Sequence, residues 1–77
     1  MLEKMQEMIS EQLGVNAEDV TPDKALKADL NADSLDLFEL VTNLEDEYSI
    51  EIPAEDLENM VTVQDVMDYL KNKGIED

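Results

Sequence analysis

Seventy-seven residues, 43% of them apolar, allow one small domain spanning 1–77 and a single core, which at this size rarely supplies more than about 3–5 kcal/mol net. The chain has no Cys, His, Trp or Arg, which excludes disulfides, thiolate and imidazole metal ligands, the usual general base and a guanidinium clamp on phosphate. Twenty-one acids against five lysines leave a net charge of −16, a surface that repels nucleic acid and anionic lipid and attracts basic protein patches.

Leu2, Met5, Met8, Ile9 and Leu13 recur at helical spacing and predict a first helix stopped by Gly14. From Gly14 to Asp33 no period is sustained. A loop of that length in a compact domain is usually functional. Val15, Val20, Leu26 and Leu30 are spaced to pin it to the core, and Thr21-Pro22-Asp23 reads as a turn. Leu37, Leu40, Val41, Leu44 and Tyr48 form the second stripe. Ile50-Glu51-Ile52 alternates over too few residues to define a strand. Pro53 suits the first position of a short helix running to about Glu58. Val63, Val66, Met67 and Leu70 form the last stripe, opened by Thr62 and Asp65 as a capping box and closed by Lys71, Lys73 and Gly74. The expected fold is all-α: three main helices plus one short one in a small bundle, with a long ordered loop between the first two. No segment approaches the ~20 apolar residues of a membrane span. The N-terminus lacks the pattern of a signal or transit peptide, so a cytoplasmic location is expected.

The charge is unevenly spread. No basic residue falls between Lys27 and Lys71, while acids run from Asp29 to Asp68. The second helix also carries more apolar surface than one core needs. At about 100° per residue, Leu40, Val41, Leu44 and Tyr48 fall within about 60° of Leu37. Leu35 and Phe38 fall roughly 100–160° away, beside Asp36, Glu39, Thr42 and Glu45. Either they pack under the long loop, or they form an exposed apolar pair rimmed by carboxylates, with Asp46 completing the rim. The second arrangement suits a partner with an apolar groove and a basic rim.

The start of that helix offers two N-caps. Ser34 as cap would tie its hydroxyl to a backbone N–H. Asp33 as cap, with Asp36 three residues on, would put Ser34 at the first helical position with its hydroxyl unused. A group attached there would lie at the positive end of the helix dipole, which favours an anion such as phosphate, with Asp33 and Asp36 opposing it locally.

Leu30-Asn31-Ala32-Asp33-Ser34-Leu35-Asp36, Glu39-Leu40-Val41, Leu44-Glu45-Asp46-Glu47-Tyr48, Glu51-Ile52-Pro53 and Thr62-Val63-Gln64-Asp65-Val66 together resemble a bacterial acyl carrier protein of type II fatty-acid synthesis. The resemblance implies a four-helix bundle, monomeric and without catalysis of its own. It implies that Ser34, flanked by Asp33 and Leu35, accepts 4′-phosphopantetheine from coenzyme A through a separate holo-synthase. Partners would be that phosphopantetheinyl transferase and fatty-acid synthesis enzymes with basic docking patches, meeting Leu35, Asp36, Phe38, Glu39, Thr42, Glu45 and Asp46. It also implies an acyl pocket lined by Leu44, Tyr48, Ile52, Leu57, Met60 and Tyr69. The chain departs from the family at Asn31 (usually Gly), Phe38 (Val), Thr42 (a Met-like residue) and Tyr48 (Phe). Asn tolerates left-handed backbone angles better than most residues, so the turn at Asn31 is expected to survive.

Other readings of the residues are open to test. Asp29, Asn31 and Asp33 suit the first positions of a calcium loop, but Ser34 stands where Gly is needed and Leu40 where a bidentate Glu is needed. Weak divalent-cation binding by Glu45, Asp46, Glu47 and Glu51 is better explained as charge screening, and no metal site is expected. An unmodified acidic helical adaptor would bind basic proteins directly. A specialised carrier would hold aminoacyl, peptidyl or polyketide cargo instead of fatty acyl groups.

Overall fold

Met5 and Ile9 turn fully inward along the first helix, and the chain leaves that helix through Gly14 at φ 69°, a left-handed angle that glycine adopts without strain. The computed structural model describes residues 1–75. Among them it holds four α-helices and no strand: α1 (Leu2–Leu13), α2 (Ser34–Tyr48), α3 (Ala54–Leu57) and α4 (Val63–Asn72), a small all-α bundle as expected. The close backbone packing centres on α1, which meets α2, α4 and a 3₁₀ turn at Ala17–Asp19. Leu40 and Leu44 of α2 and Val63, Val66 and Leu70 of α4 fill the space between, each almost wholly buried.

The long loop is ordered by apolar anchors and by backbone pairing. Val20, Leu26 and Leu30 are buried as their spacing suggested, while Val15 is half-buried. The Thr21 carbonyl accepts from Lys24 N–H (3.1 Å), closing the turn at Pro22 and Asp23. Gln6 of α1 donates its side-chain amide to the Val20 carbonyl (3.0 Å). Beyond the turn the loop zips to the entry of α4. Leu26 N–H donates to the Val61 carbonyl (2.9 Å), Val63 N–H to Lys24 (3.1 Å) and Gln64 N–H to Pro22 (3.0 Å), around an isolated bridge between Ala25 and Thr62.

The capping box of α4 forms between Thr62 and Asp65. One boundary differs from expectation. Pro53 is the residue before α3, not its first helical residue, because its ψ of 148° is extended. Its carbonyl nonetheless accepts the N–H groups of Asp56 (3.0 Å) and Leu57 (3.3 Å), so Pro53 still organises the turn. Ile50 and Ile52 lie in extended connection without strand pairing, Ile52 buried and Ile50 half-buried. Their chain leaves α2 through Ser49 at φ 55°, a left-handed angle on a residue with a Cβ.

Lys4 pairs with Glu47 across α1 and α2 at 3.3 Å, with both side chains more than a third exposed. Such a pair contributes little against a net charge of −16. Added salt or millimolar divalent cation at neutral pH is therefore expected to raise the melting temperature, by about 4–8 °C per kcal/mol of repulsion relieved. Thermal circular dichroism reads this directly. Melting indifferent to both additions would show that the carboxylates are already well separated.

Candidate functional site

Asn31, Ala32 and Asp33 set up the start of α2. Asn31 turns at φ 58°, the left-handed region that Asn adopts more readily than most residues. Ala32 is buried and donates its N–H to the Leu26 carbonyl (2.9 Å), which ties the turn to the pinned loop. Asp33 then stands in extended conformation as the N-cap. Its carboxylate accepts from Asp36 N–H (2.8 Å), and the Asp36 carboxylate accepts in return from Asp33 N–H (3.3 Å). Of the two caps the sequence allowed, the structure adopts Asp33. Ser34 is accordingly the first helical residue, exposed, and its hydroxyl takes no part in the cap.

Ser34 stands on the edge of a cleft of about 430 Å³ between the long loop, the start of α2 and α3. Ala25, Ala28 and Ala54 keep it open by being small, and Leu37, Leu57 and Met60 make it apolar. Lys27 and Glu58 also line it. Lys27, the last cation before Lys71, thus brings a positive charge to the cleft beside the serine. Lys27, Ala25, Ala28, Ala54 and Val61 carried no signal in the sequence, because their meeting depends on the long-range pairing of residues 22–26 with 61–64.

Leu35 and Phe38 are 64% and 62% exposed, so the loop does not cover them. Thr42 and Asp46 are exposed on the same helix, and Thr42 Oγ1 donates to the Phe38 carbonyl (2.9 Å). Glu39 accepts from the Gln12 amide of α1 at 2.6 Å, and Gln12 in turn accepts from Asn43 at 3.2 Å. Glu45 is half-buried and accepts from Ile52 N–H at 3.0 Å, so one charge expected on the rim fastens the chain after α2. Leu57 and Met60 line the cleft beside Ser34, while Leu44, Tyr48, Ile52 and Tyr69 do not. Leu44 and Ile52 lie in the core. Burial pushes the Tyr48 phenol above its ordinary pKa, with Lys4 and Glu47 acting on it in opposite senses. Tyr69 is half-buried and donates its O–H to Asp56 (2.7 Å). Burial and then that bond push its pKa up to about 12, so the donor keeps its proton at physiological pH.

Among the described residues no cluster of carboxylates is arranged to hold a metal ion, and no helix is long and apolar enough to cross a membrane.

A helical bundle with an uncommitted serine at the first position of its second helix, beside an apolar cleft, has the form of a carrier domain. The chain belongs to the phosphopantetheine attachment site family, which it matches over residues 3–70. It is 48% identical over 73 residues to the acyl carrier protein of Thermosynechococcus vestitus, covering 95% of this chain and 90% of that one. Its fold is similar to that of the acyl carrier protein from Enterococcus faecalis, with a TM-score of 0.76, 42% identity and coverage of 90% and 87% of the two chains. It is similar also to a Mycobacterium tuberculosis protein proposed to be an acyl carrier, with a TM-score of 0.83, 36% identity and coverage of 92% and 96%.

Membership makes the chain a carrier and not a catalyst, with covalently attached 4′-phosphopantetheine as its cofactor. It also implies a phosphopantetheinyl transferase and synthase enzymes as partners. The residues present fit that group. Ser34 offers an accessible hydroxyl, the cleft offers apolar walls, and the thiol that the sequence lacks would come with the arm. With no His or Cys in the chain, Ser34 has no obvious base to activate it, so were it the attachment point its activation would fall to the transferase.

Proposed function

We propose that this chain carries acyl intermediates of fatty-acid biosynthesis, as thioesters on a phosphopantetheine arm joined to Ser34 Oγ, acting as a monomeric domain over 1–77 in the cytoplasm. The observation that carries this reading is the Asp33–Asp36 capping box, which leaves the Ser34 hydroxyl uncommitted beside an apolar cleft. Asp33 and Leu35 flank the attachment point. An acyl chain enters past Ala54 and Leu57 toward Met60, and it would reach Leu44, Tyr48, Ile52 and Tyr69 only by parting the residues that close the cleft. Leu35, Phe38 and Thr42, with Asp36, Glu39, Glu45 and Asp46 around them, form the face offered to partners with basic patches. An apolar pair left in water beside carboxylates supports that assignment.

Incubation with coenzyme A and a holo-synthase is expected to add one phosphopantetheine, read by intact mass, on a peptide containing Ser34. The holo-protein should then accept malonyl groups from a fatty-acid malonyl transferase and support elongation by a ketosynthase. Efficient loading with no malonyl transfer or elongation would keep the carrier assignment and overturn the fatty-acid one.

A further inference from the structure

We infer that the hydrogen bond from Tyr69 to Asp56 is a tether on α3 that sets how long an acyl chain the cleft beside Ser34 can shield; the chain-length part rests on the acyl reading proposed above. The cleft has three walls of unequal firmness. The start of α2 is fixed by its capping box and by buried Leu37. The long loop is fixed by buried Leu26 and by backbone pairing to the residues around Thr62. The third wall, with Ala54, Leu57 and Glu58, belongs to a helix of one turn with no fully buried residue. Its backbone hydrogen bonds are local, from Asp56 and Leu57 back to Pro53 and from Asn59 and Met60 back to Asp56 and Leu57.

Among the described residues, two side-chain hydrogen bonds join the 51–60 segment to the rest of the bundle. Glu45 holds Ile52 N–H ahead of α3, and Tyr69 of α4 holds Asp56 within it. Only the second acts on α3 itself. It is a phenol-to-carboxylate bond of 2.7 Å, the short, charge-assisted kind. Lys73 lies over the Tyr69 ring at 5.4 Å, which helps to fix the donor. An alkyl chain longer than the cleft must displace a wall, and the wall that yields is the one held by this bond. Tyr69 is thus a positioning residue for cargo: it touches Asp56, and Asp56 places Leu57 against the chain.

The test uses Tyr69→Phe, which keeps the ring and removes the hydroxyl, and Asp56→Asn and Asp56→Ala, which act from the other side and leave the ring packing alone. In the unacylated holo-protein, Tyr69→Phe and Asp56→Ala should each raise amide hydrogen exchange in residues 51–60 about tenfold, with α1, α2 and α4 unchanged. The two together should add little to either alone, because they remove one interaction. Asp56→Asn keeps an acceptor and should fall between. Each protein is then loaded with butanoyl, octanoyl or dodecanoyl groups, and thioester cleavage by hydroxylamine is followed. Butanoyl protection should not change, whereas dodecanoyl protection should rise severalfold in Tyr69→Phe as the loosened wall admits the chain. Unchanged exchange in 51–60, exchange raised evenly across the bundle, or an unaltered ratio of dodecanoyl to butanoyl protection would each overturn the inference. If wild-type protection is the same for every chain length, the acyl reading of the cleft fails instead, and the exchange measurement still decides the tether.

Discussion

Ser34→Ala is expected to gain no phosphopantetheine at all while melting almost as the wild type does. On the proposed reading, loading depends on one oxygen. Ser10 Oγ is committed to the Glu7 carbonyl at 3.0 Å. Ser49 ends α2 in a left-handed conformation. Ser34 alone among the serines stands at a helix start beside the cleft. Stability depends on a different residue, since Asp33 and not Ser34 accepts the helix N–H. Removing an exposed hydroxyl outside the cap should cost within about 0.5 kcal/mol. Asp33→Ala, which breaks the capping box, should cost about 0.5–2 kcal/mol. Intact mass after incubation with coenzyme A and holo-synthase, beside thermal melts of both variants, checks the separation. Normal loading of Ser34→Ala would move the attachment point elsewhere. A large loss of stability in that variant would mean that the hydroxyl serves the fold.

Phe38→Ala is expected to weaken binding to a partner enzyme by 2 kcal/mol or more, about thirtyfold, if Phe38 is a central anchor, while barely changing stability. With 62% of its surface in water, Phe38 contributes little to the core. Leu44→Ala, at a wholly buried position of the same helix, should instead cost about 2–5 kcal/mol. The charges around Phe38 are not equivalent. Glu39 is joined to Gln12, Glu45 to the Ile52 backbone, and Asp36 to the cap. Reversing any of these would disturb the fold together with the field. Asp46, exposed at the groove between α2 and α1, is the cleaner site. Asp46→Lys should slow association, with a strong salt dependence, because rim charges steer encounter. Phe38→Ala should speed dissociation instead. Surface-immobilised holo-synthase with the apo-protein in flow separates the two rates. Unfolding of Phe38→Ala together with unchanged association of Asp46→Lys would place the docking face elsewhere.

The helices and their caps were legible because their causes are local. The stripe at Leu37, Leu40, Val41 and Leu44 and the boxes at Asp33–Asp36 and Thr62–Asp65 are written within a few residues of where they act. The surplus of Leu35 and Phe38 was legible from angle alone, and so was the tolerance of Asn31 for its turn. The choice between Asp33 and Ser34 as cap was not, since both residue types serve equally well in isolation. The cleft was legible only in part. Leu57 and Met60 line it, but Ala25, Ala28 and Lys27 reach it through the pairing of Ala25 with Thr62, for which no periodicity exists. The second role of Glu45, fastening the chain after Ser49, was not legible, because nothing in a helical wheel shows that this chain doubles back to meet it.

The pairing of the long loop with the entry of α4 also has a consequence in time. The turn that carries Ser34 hangs from Leu26 through Ala32, and Leu26 is held in turn by the carbonyl of Val61. Closing that ring requires residues 26–61 to be complete and the strand-like contact at Thr62 to form, a non-local step that follows the nucleation of the individual helices. A chain emerging from the ribosome displays Ser34 before the frame around it exists. Were Ser34 the attachment point, the transferase would meet a finished turn only once the residues around Thr62 had been made.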